Sequence, residues 1–279
     1  MSITISRLFI TLYYTLFILF AGCSSPAEKL QQQALASDLN QLILTTNKIN
    51  LIAYDNDSTS KQERVYVYLE GDGSPWEKGY WPASDPNTKR SIVLPLLKQL
   101  EYPSLYIARP CYGWGKMPAN CTTELWTSAR YSQDIVNILN EGLNQYKLLN
   151  DNIKEYVIIG HSGGGTLASL LASTRSDIVA IVTLAANLDH NAWTQHFGYL
   201  PLERSLNPIK YFPLPEKIIR WHLIAGKDKV IPESILKRTV KTDRGSKQLY
   251  YSEFDHRCCW QTIWKGVTTA LEKELTRRE

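Results

Sequence analysis

The chain has 279 residues, of which 44% are hydrophobic; this is enough apolar material for a compact domain and excludes a disordered chain. Its 31 Lys and Arg residues against 27 Asp and Glu residues leave a net charge of only +4, spread along the sequence. Binding to nucleic acid driven by electrostatics is therefore not expected. No segment recurs at a fixed period, which excludes solenoid and collagen-like architectures.

The first 22 residues have the layout of an export signal. Arg7 lies in a short leading segment, an almost unbroken apolar run of 13 residues follows at positions 8–20, and two small residues precede Cys23. Because a membrane-spanning helix needs about 20 residues, this run is short for a permanent anchor. Residues 1–22 are therefore predicted to be a signal peptide.

The junction at Cys23 resembles a bacterial lipoprotein processing site, with Phe20 in place of the usual Leu. The resemblance implies export to the periplasm, acylation of Cys23 and a lipid anchor in the membrane. Ser24 after the cysteine, where there is no Asp, resembles lipoproteins of the outer membrane. Residues 23–40 are expected to contain a flexible tether. Plain secretion and a retained hydrophobic anchor are the alternatives.

Strand and helix patterns alternate through residues 41–279. Runs rich in β-branched and aromatic residues predict strands at positions 64–69, 104–108, 156–159, 178–184, 219–224 and 248–251. Apolar residues spaced by three and four predict helices at positions 92–100, 129–148, 166–173, 231–240 and 260–275. Several strands are apolar on both faces. The expected fold is α/β, with a mostly parallel central sheet flanked by helices on both faces.

Residues 187–216 break this alternation and contain four prolines. They are predicted to form a small cap over the carboxyl ends of the strands, which is the edge where parallel α/β sheets bind ligands. No convincing boundary divides the rest, so residues 41–279 are expected to form a single domain.

The strongest motif is G-x-S-x-G at positions 160–164, directly after a predicted strand and before a predicted helix. Gly160 and Gly164 leave room for a sharp turn that lifts the Ser162 hydroxyl clear of the sheet. The backbone N–H of Gly163 then lies at a helix N-terminus, where partial positive charge favours an oxyanion. Ser162 is predicted to be a nucleophile. A phosphate-binding turn or a mere tight connection is the alternative.

With this motif the chain resembles the alpha/beta-hydrolase family of serine hydrolases, whose catalytic residues follow in the order Ser, acid, His. The resemblance implies that Asp228, after the strand at 219–224, is the acid and that His256, after the last strand, is the base. Asp189, an acid position in some relatives, is the alternative acid. The other histidines are expected to be structural or surface residues: His161, His190, His196 and His222.

The same resemblance implies an oxyanion hole made of two backbone N–H groups, one of them from Gly163. The second lies in the loop after the first predicted strand, where relatives carry His-Gly-x and this chain has Glu-Gly-Asp at positions 70–72. This alignment assigns Asp72, with Gly73 as the alternative. Independently of this resemblance, Glu70 and Asp72 could be the paired carboxylates of a glycosidase, which is a competing interpretation.

Several aromatic residues follow predicted strand ends or lie in the cap. They either line an apolar cleft or pack the loops themselves. These residues are Trp76, Tyr80, Trp81, Tyr112, Trp114 and Trp193. Arg109 has two interpretations as well: it binds an acidic substrate, or it holds its own loop through a salt bridge.

Four cysteines remain after Cys23, which favours disulfides in an exported protein. They are Cys111, Cys121, Cys258 and Cys259. Because a bond between adjacent cysteines closes a strained ring, at least one of that pair is expected to reach Cys111 or Cys121. A zinc site is not expected, since no histidines stand at the usual spacings.

These features predict a serine hydrolase that cleaves a carboxylic ester or a related acyl bond through an acyl-enzyme, without metal or cofactor. Its expected partners are a small-molecule or acylated substrate and, through the lipid anchor, a membrane. An acyltransferase or a peptidase can use the same three residues. A noncatalytic envelope protein that binds a ligand on the same scaffold is the alternative of a different class.

Overall fold

The computed structural model describes residues 24–56 and 62–278. Eight strands form its central sheet: β1 (Asn40–Leu44), β2 (Leu51–Asp55), β3 (Arg64–Leu69), β6 (Ser104–Ile107), β7 (Glu155–His161), β8 (Ile178–Leu184), β9 (Ile219–Ala225) and β10 (Lys247–Tyr251). Their order is β1-β2-β6-β3-β7-β8-β9-β10. A separate hairpin follows β3 and consists of β4 (Trp76–Glu77) and β5 (Trp81–Pro82).

Seven α-helices accompany the sheet in the described residues: α1 (Pro26–Leu35), α2 (Leu94–Leu97), α3 (Gln133–Leu149), α4 (Gly163–Ala172), α5 (His190–Phe197), α6 (Glu233–Val240) and α7 (Trp260–Thr276). Two short 3₁₀ helices lie at Thr123–Trp126 and Pro208–Tyr211. Within residues 24–56 and 62–278, no helix combines the length and the apolar character that crossing a bilayer requires.

The expected α/β architecture is confirmed. Strands β3, β6, β7, β8, β9 and β10 pair in parallel, whereas β1 and β2 pair in antiparallel fashion at one end of the sheet. Strand β7 is buried along nearly its whole length and β9 along all of it, as expected of parallel strands covered on both faces. This arrangement brings the carboxyl ends of β3, β7 and β9 to one edge.

The amino-terminal segment differs from the flexible tether expected at residues 23–40. Ser25 and Glu28 form reciprocal hydrogen bonds that cap α1, in which the Ser25 N–H donates to the Glu28 carboxylate at 2.8 Å. Ala27, Leu30 and Ala34, spaced by three and four, are buried. Because the small apolar face of α1 packs on the domain, residues 26–35 form part of the fold.

The expected cap at residues 187–216 contains α5 and the second 3₁₀ helix. Trp193, Phe197 and Tyr199 contact one another through their rings, with centroids 5.2–6.0 Å apart. This aromatic cluster gives the short segment an apolar centre of its own.

The disulfide pairing differs from the expectation. Cys111 pairs with Cys121 within the loop after β6, where their Cα atoms are 5.7 Å apart. Cys258 pairs with its neighbour Cys259. The expectation that Cys258 or Cys259 reaches Cys111 or Cys121 is therefore wrong, because each cysteine pairs within its own loop.

A buried polar network ties β9 to the end of α6. The Asp243 carboxylate accepts a hydrogen bond from the Leu214 N–H at 2.9 Å and lies 3.1 Å from His222 Nε2. Arg220 Nε lies 3.4 Å from the same carboxylate. The side chains of Arg220, His222 and Asp243 are at most 2% exposed. Asp243 thus compensates a guanidinium group that is removed from water.

Replacing this carboxylate tests the network. We expect Asp243→Ala to lower the free energy of unfolding by about 3–5 kcal/mol, because Arg220 would stay buried without its counter-charge. Urea unfolding measures the change, and the exposed Asp151→Ala variant serves as the control, with an expected change within about 0.5 kcal/mol. A loss below about 1 kcal/mol in Asp243→Ala would contradict this account.

Candidate active site

Ser162 occupies the turn between β7 and α4 in a backbone conformation that L-residues rarely adopt, with φ of 52° and ψ of −121°. Its N–H donates to the Leu184 carbonyl of β8 at 2.9 Å, which holds the turn against the sheet. Strained conformations of this kind cost free energy and are found preferentially at functional sites.

The glycines of the motif are required by the close approach of neighbouring backbone. A Cβ atom at Gly160 would overlap the backbone of Gly164, and one at Gly164 would overlap the Leu69 carbonyl of β3. At Gly163 a Cβ atom would overlap the carboxylate of Asp72. The turn and the loop after β3 therefore lie in direct contact.

His256 and Asp228, predicted as base and acid, lie together. His256 Nδ1 is 2.8 Å from Asp228 Oδ2. The other carboxylate oxygen, Oδ1, accepts the N–H groups of Val230 and Ile231 at 2.7 and 2.8 Å. The Asp228 side chain is only 1% exposed. The loop after β9 thus fixes the orientation of the carboxylate that holds the imidazole ring.

Asp189, the alternative acid, has a different role. Its carboxylate accepts the Ala192 N–H at 3.2 Å and caps the first turn of α5. It also accepts a hydrogen bond from the Asn207 side chain at 2.9 Å. This carboxylate therefore stabilises the cap.

Ser162 and His256 border the same cavity, which has a volume of about 830 Å³. Their side chains form no direct hydrogen bond in the described structure; such contacts commonly tighten only when substrate binds. The cavity lies between the carboxyl ends of β3 and β7 and the loop after β10. Gly71, Asp72 and His161 also line it.

The two predicted oxyanion donors belong to the segments that are in contact, the loop after β3 and the turn at Ser162. Among residues 24–56 and 62–278, neither the Asp72 N–H nor the Gly163 N–H has a hydrogen-bond acceptor. The N–H of Gly73, the alternative donor, is without an acceptor as well. Gly163 is the first residue of α4, so its N–H lies at the positive end of a helix dipole.

The Asp72 side chain is bound by three residues, of which only Arg109 was a candidate from the sequence. Arg109 and Arg130 both form salt bridges with it, the latter at 2.9 Å. The Tyr131 hydroxyl donates to the same carboxylate at 2.6 Å. Burial raises the pKa of Asp72, but the two guanidinium groups outweigh burial and hold the pKa well below its usual range. Arg109 thus forms a salt bridge, as in its second interpretation, but it holds the loop after β3 and not only its own loop.

Glu70, which replaces the histidine of the family pattern, anchors the loop before α2. Its carboxylate accepts hydrogen bonds from the Ser91 hydroxyl and from the Ile92 N–H, the latter at 3.0 Å. Burial raises its pKa, partly offset by these hydrogen bonds. Because the carboxylates of Glu70 and Asp72 are each occupied by structural partners, the glycosidase interpretation has no free acid and base in this loop.

Solved structures share this architecture at low sequence identity. An esterase from Pyrococcus furiosus is 16% identical, with a TM-score of 0.61 over 92% of this chain and 96% of that chain. Est1E from Butyrivibrio proteoclasticus is 14% identical, with a TM-score of 0.57 over 85% of this chain and 98% of that chain. An acylaminoacyl peptidase from Pyrococcus horikoshii is 10% identical, with a TM-score of 0.58 over 84% of this chain and 41% of that chain. The chain has the alpha/beta-hydrolase fold.

No protein-family model and no curated protein sequence matches the chain. The likeness at these identities establishes the alpha/beta-hydrolase fold alone. The chemistry of the site depends on the residues of this chain.

Three of the six aromatic residues singled out from the sequence line the cavity: Trp76, Tyr80 and Trp193. Tyr112 instead donates its hydroxyl to the Asp72 carbonyl at 2.9 Å and so supports the loop from behind. Tyr199 and Leu200 of the cap also line the cavity and are largely exposed. The cavity therefore has a partly apolar wall.

His161 has a closer connection to the site than expected of a structural histidine. Its Nε2 lies 2.7 Å from the His256 carbonyl oxygen, and the two rings are 4.8 Å apart. Burial, reinforced by the neighbouring His256, lowers the pKa of His161 to about 3. The neutral ring can therefore donate a hydrogen bond to the loop that carries His256.

Cys23, the predicted lipidation site, lies outside the described residues.

The low pKa of His161 predicts a pH dependence of stability. An unfolded histidine titrates near pH 6.5, so the unfolded chain binds an additional proton between about pH 6.5 and 3. The free energy of unfolding therefore falls as the pH falls through this window. His161→Gln removes the titrating group and is expected to reduce this loss by up to about 1.4 kcal/mol per pH unit.

Urea unfolding at about pH 7 and pH 4 measures the difference. His196→Gln, on the exposed face of the cap, is the matched control and should keep the wild-type pH dependence. Equal losses in wild type and His161→Gln would contradict the assignment of a buried neutral ring.

Proposed function

We propose that the protein is a serine hydrolase that cleaves a carboxylic ester or a related acyl bond, with Ser162 as nucleophile, His256 as general base and Asp228 as its orienting acid. The observation that carries the proposal is the 2.8 Å contact of His256 Nδ1 with Asp228, at the border of the cavity that also contains Ser162. The strained turn at Ser162 and the two unoccupied N–H groups beside it support the same conclusion.

The reaction follows from this arrangement. His256 removes the proton from Ser162 as the serine oxygen attacks the carbonyl carbon. Asp228 keeps Nδ1 of the imidazole protonated, so that Nε2 accepts the proton, and it stabilises the imidazolium ion that forms. The N–H groups of Asp72 and Gly163 donate to the developing oxyanion. The imidazolium then protonates the leaving group, and water repeats the sequence to release the acid.

An ester or thioester is the substrate bond that the cavity supports best. Its apolar wall suits an uncharged acyl or alcohol portion, and the cavity of about 830 Å³ is of the size used for small molecules. A peptidase with the same fold is represented among the solved structures. Peptidase or acyltransferase activity, which would use the same three residues, is therefore the second candidate. A noncatalytic binding protein is the candidate without catalysis.

A fluorophosphonate probe tests the nucleophile. We expect the wild-type protein to be labelled to about one equivalent and Ser162→Ala to remain unlabelled, because the probe reacts with an activated serine. Ser234→Ala, at an exposed serine of α6, should be labelled like the wild type. Intact-mass measurement gives the stoichiometry.

The same assay extends to the base. His256→Ala is expected to slow labelling by about a thousandfold or more, since the serine hydroxyl then loses its proton acceptor. A folded wild-type protein that takes up no label would support the noncatalytic binding protein. Labelling that persists in Ser162→Ala would place the nucleophile elsewhere.

We further propose that the protein is exported and carries a lipid on Cys23. The lipid would hold the hydrolase at the periplasmic face of a membrane, and we expect this to be the outer membrane. The support is the order of a charged segment, a short apolar run, small residues and Cys23.

Metabolic labelling with an alkyne fatty acid tests the anchor. In a bacterial host the wild-type chain should incorporate the label and fractionate with membranes, whereas Cys23→Ser should lose both properties. Ser25→Ala, two residues further on, is the control and should be labelled. A mature product whose mass includes residues 1–22, or one that begins near Cys23 without lipid, would contradict the proposal.

A further inference from the structure

We infer that the substrate carries an anionic group in addition to its apolar part. This inference deepens the proposed hydrolase function and rests on it. It comes from the balance of charge in the cavity, where the acidic side chains are occupied by partners and two basic side chains are not.

The acidic groups that line the cavity are Glu70 and Asp72. Glu70 is buried, accepts hydrogen bonds from Ser91 and Ile92, and has a raised pKa. Asp72 is held between Arg109 and Arg130. Both carboxylates are therefore bound to partners of their own.

The cluster at Asp72 leaves no unpaired carboxylate on the wall. The Asp72 carboxylate lies between the guanidinium groups of Arg109 and Arg130, whose side chains are only 2% and 5% exposed. The formal charges of these two arginines balance those of Asp72 and Glu70, so any net positive charge of the wall comes from other residues.

Arg257 and Lys89 add two further positive charges at the exposed part of the wall. Among the described residues neither side chain forms an ion pair, and Arg257 directly follows His256. The nearest acid in sequence, Asp255, uses its carboxylate to accept the backbone N–H groups of Arg257 and Cys258, each at 2.7 Å. Its charge attracts the Arg257 guanidinium group, but the two form no salt bridge.

The positive potential and the apolar wall act on the same ligand. Trp76, Tyr80 and Leu200 line the cavity together with Lys89 and Arg257. A substrate that presents a hydrocarbon or aromatic portion and a carboxylate would satisfy both features, and a phosphate group would provide the same charge. A neutral ester of equal size would use only the apolar wall.

Two pairs of esters, whose members differ by one negative charge, test the inference. The first pair places the charge on the acyl side: para-nitrophenyl hydrogen adipate and its neutral methyl ester. The second places it on the leaving group: para-acetoxybenzoate and methyl para-acetoxybenzoate. We expect kcat/KM for the anionic member of at least one pair to exceed that of its neutral partner by about tenfold at low ionic strength, and this ratio to fall at about 0.5 M NaCl, where charges are screened.

Variants assign the preference to the residues. The double variant Lys89→Met with Arg257→Met is expected to reduce the ratio to below about threefold, because it removes two charges while it retains side chains of similar length. The control double variant, Arg238→Met with Lys265→Met, changes two exposed basic residues on α6 and α7 and should keep the wild-type ratio.

The outcomes separate this inference from the proposed function. A protein that reacts with the fluorophosphonate probe but shows no anionic preference in either pair overturns the inference alone. A preference that persists in the Lys89 and Arg257 double variant overturns it too. A folded protein that neither takes up the probe nor hydrolyses any of the four esters overturns the proposed hydrolase itself.

Discussion

The backbone of the turn at Ser162 and the loop after β3 approach so closely that no side chain fits between them. A Cβ atom at Gly160, Gly163 or Gly164 would overlap neighbouring backbone or the Asp72 carboxylate. Ser162 has a positive φ at this contact. Asp72 and Gly163, whose N–H groups have no acceptor in the described residues, lie on its two sides. The close packing therefore requires glycine at these three positions.

The loop in contact with this turn is held by charge. Asp72 is bound by two arginines and a tyrosine hydroxyl, whereas Glu70 accepts hydrogen bonds from the segment that leads into α2. Both acids therefore use their side chains to shape the loop, and Asp72 offers its backbone to the cavity. The two arginines balance these two carboxylates, so Lys89 and Arg257 supply the positive charge that remains on the cavity wall. Solved structures with this fold include an esterase and a peptidase, so the walls of the cavity distinguish substrates better than the fold does.

Most parts of the fold that the sequence did not predict have weak local signals. Strand β1 lies at the edge of the sheet and is largely exposed, so no buried apolar run marks it. Strand β2 is the exception, since it is short but buried along its whole length. Helix α1 has only three buried residues in a polar segment, which is typical of a tether by composition. The disulfide pairing expected from ring strain was wrong because Cys111 and Cys121 pair with each other within one loop.

The sequence by itself determined the alternation of strands and helices and the location of the G-x-S-x-G turn, because hydrophobic periodicity and glycine spacing are local properties of the chain. It also determined the chain order in which Asp228 and His256 follow Ser162. Only the tertiary structure decided that Asp228 rather than Asp189 contacts His256, and that His161 supports the loop of His256. The partners of Asp72 likewise come from segments far apart in sequence. Contacts of this kind depend on how the elements pack, and no local pattern records them.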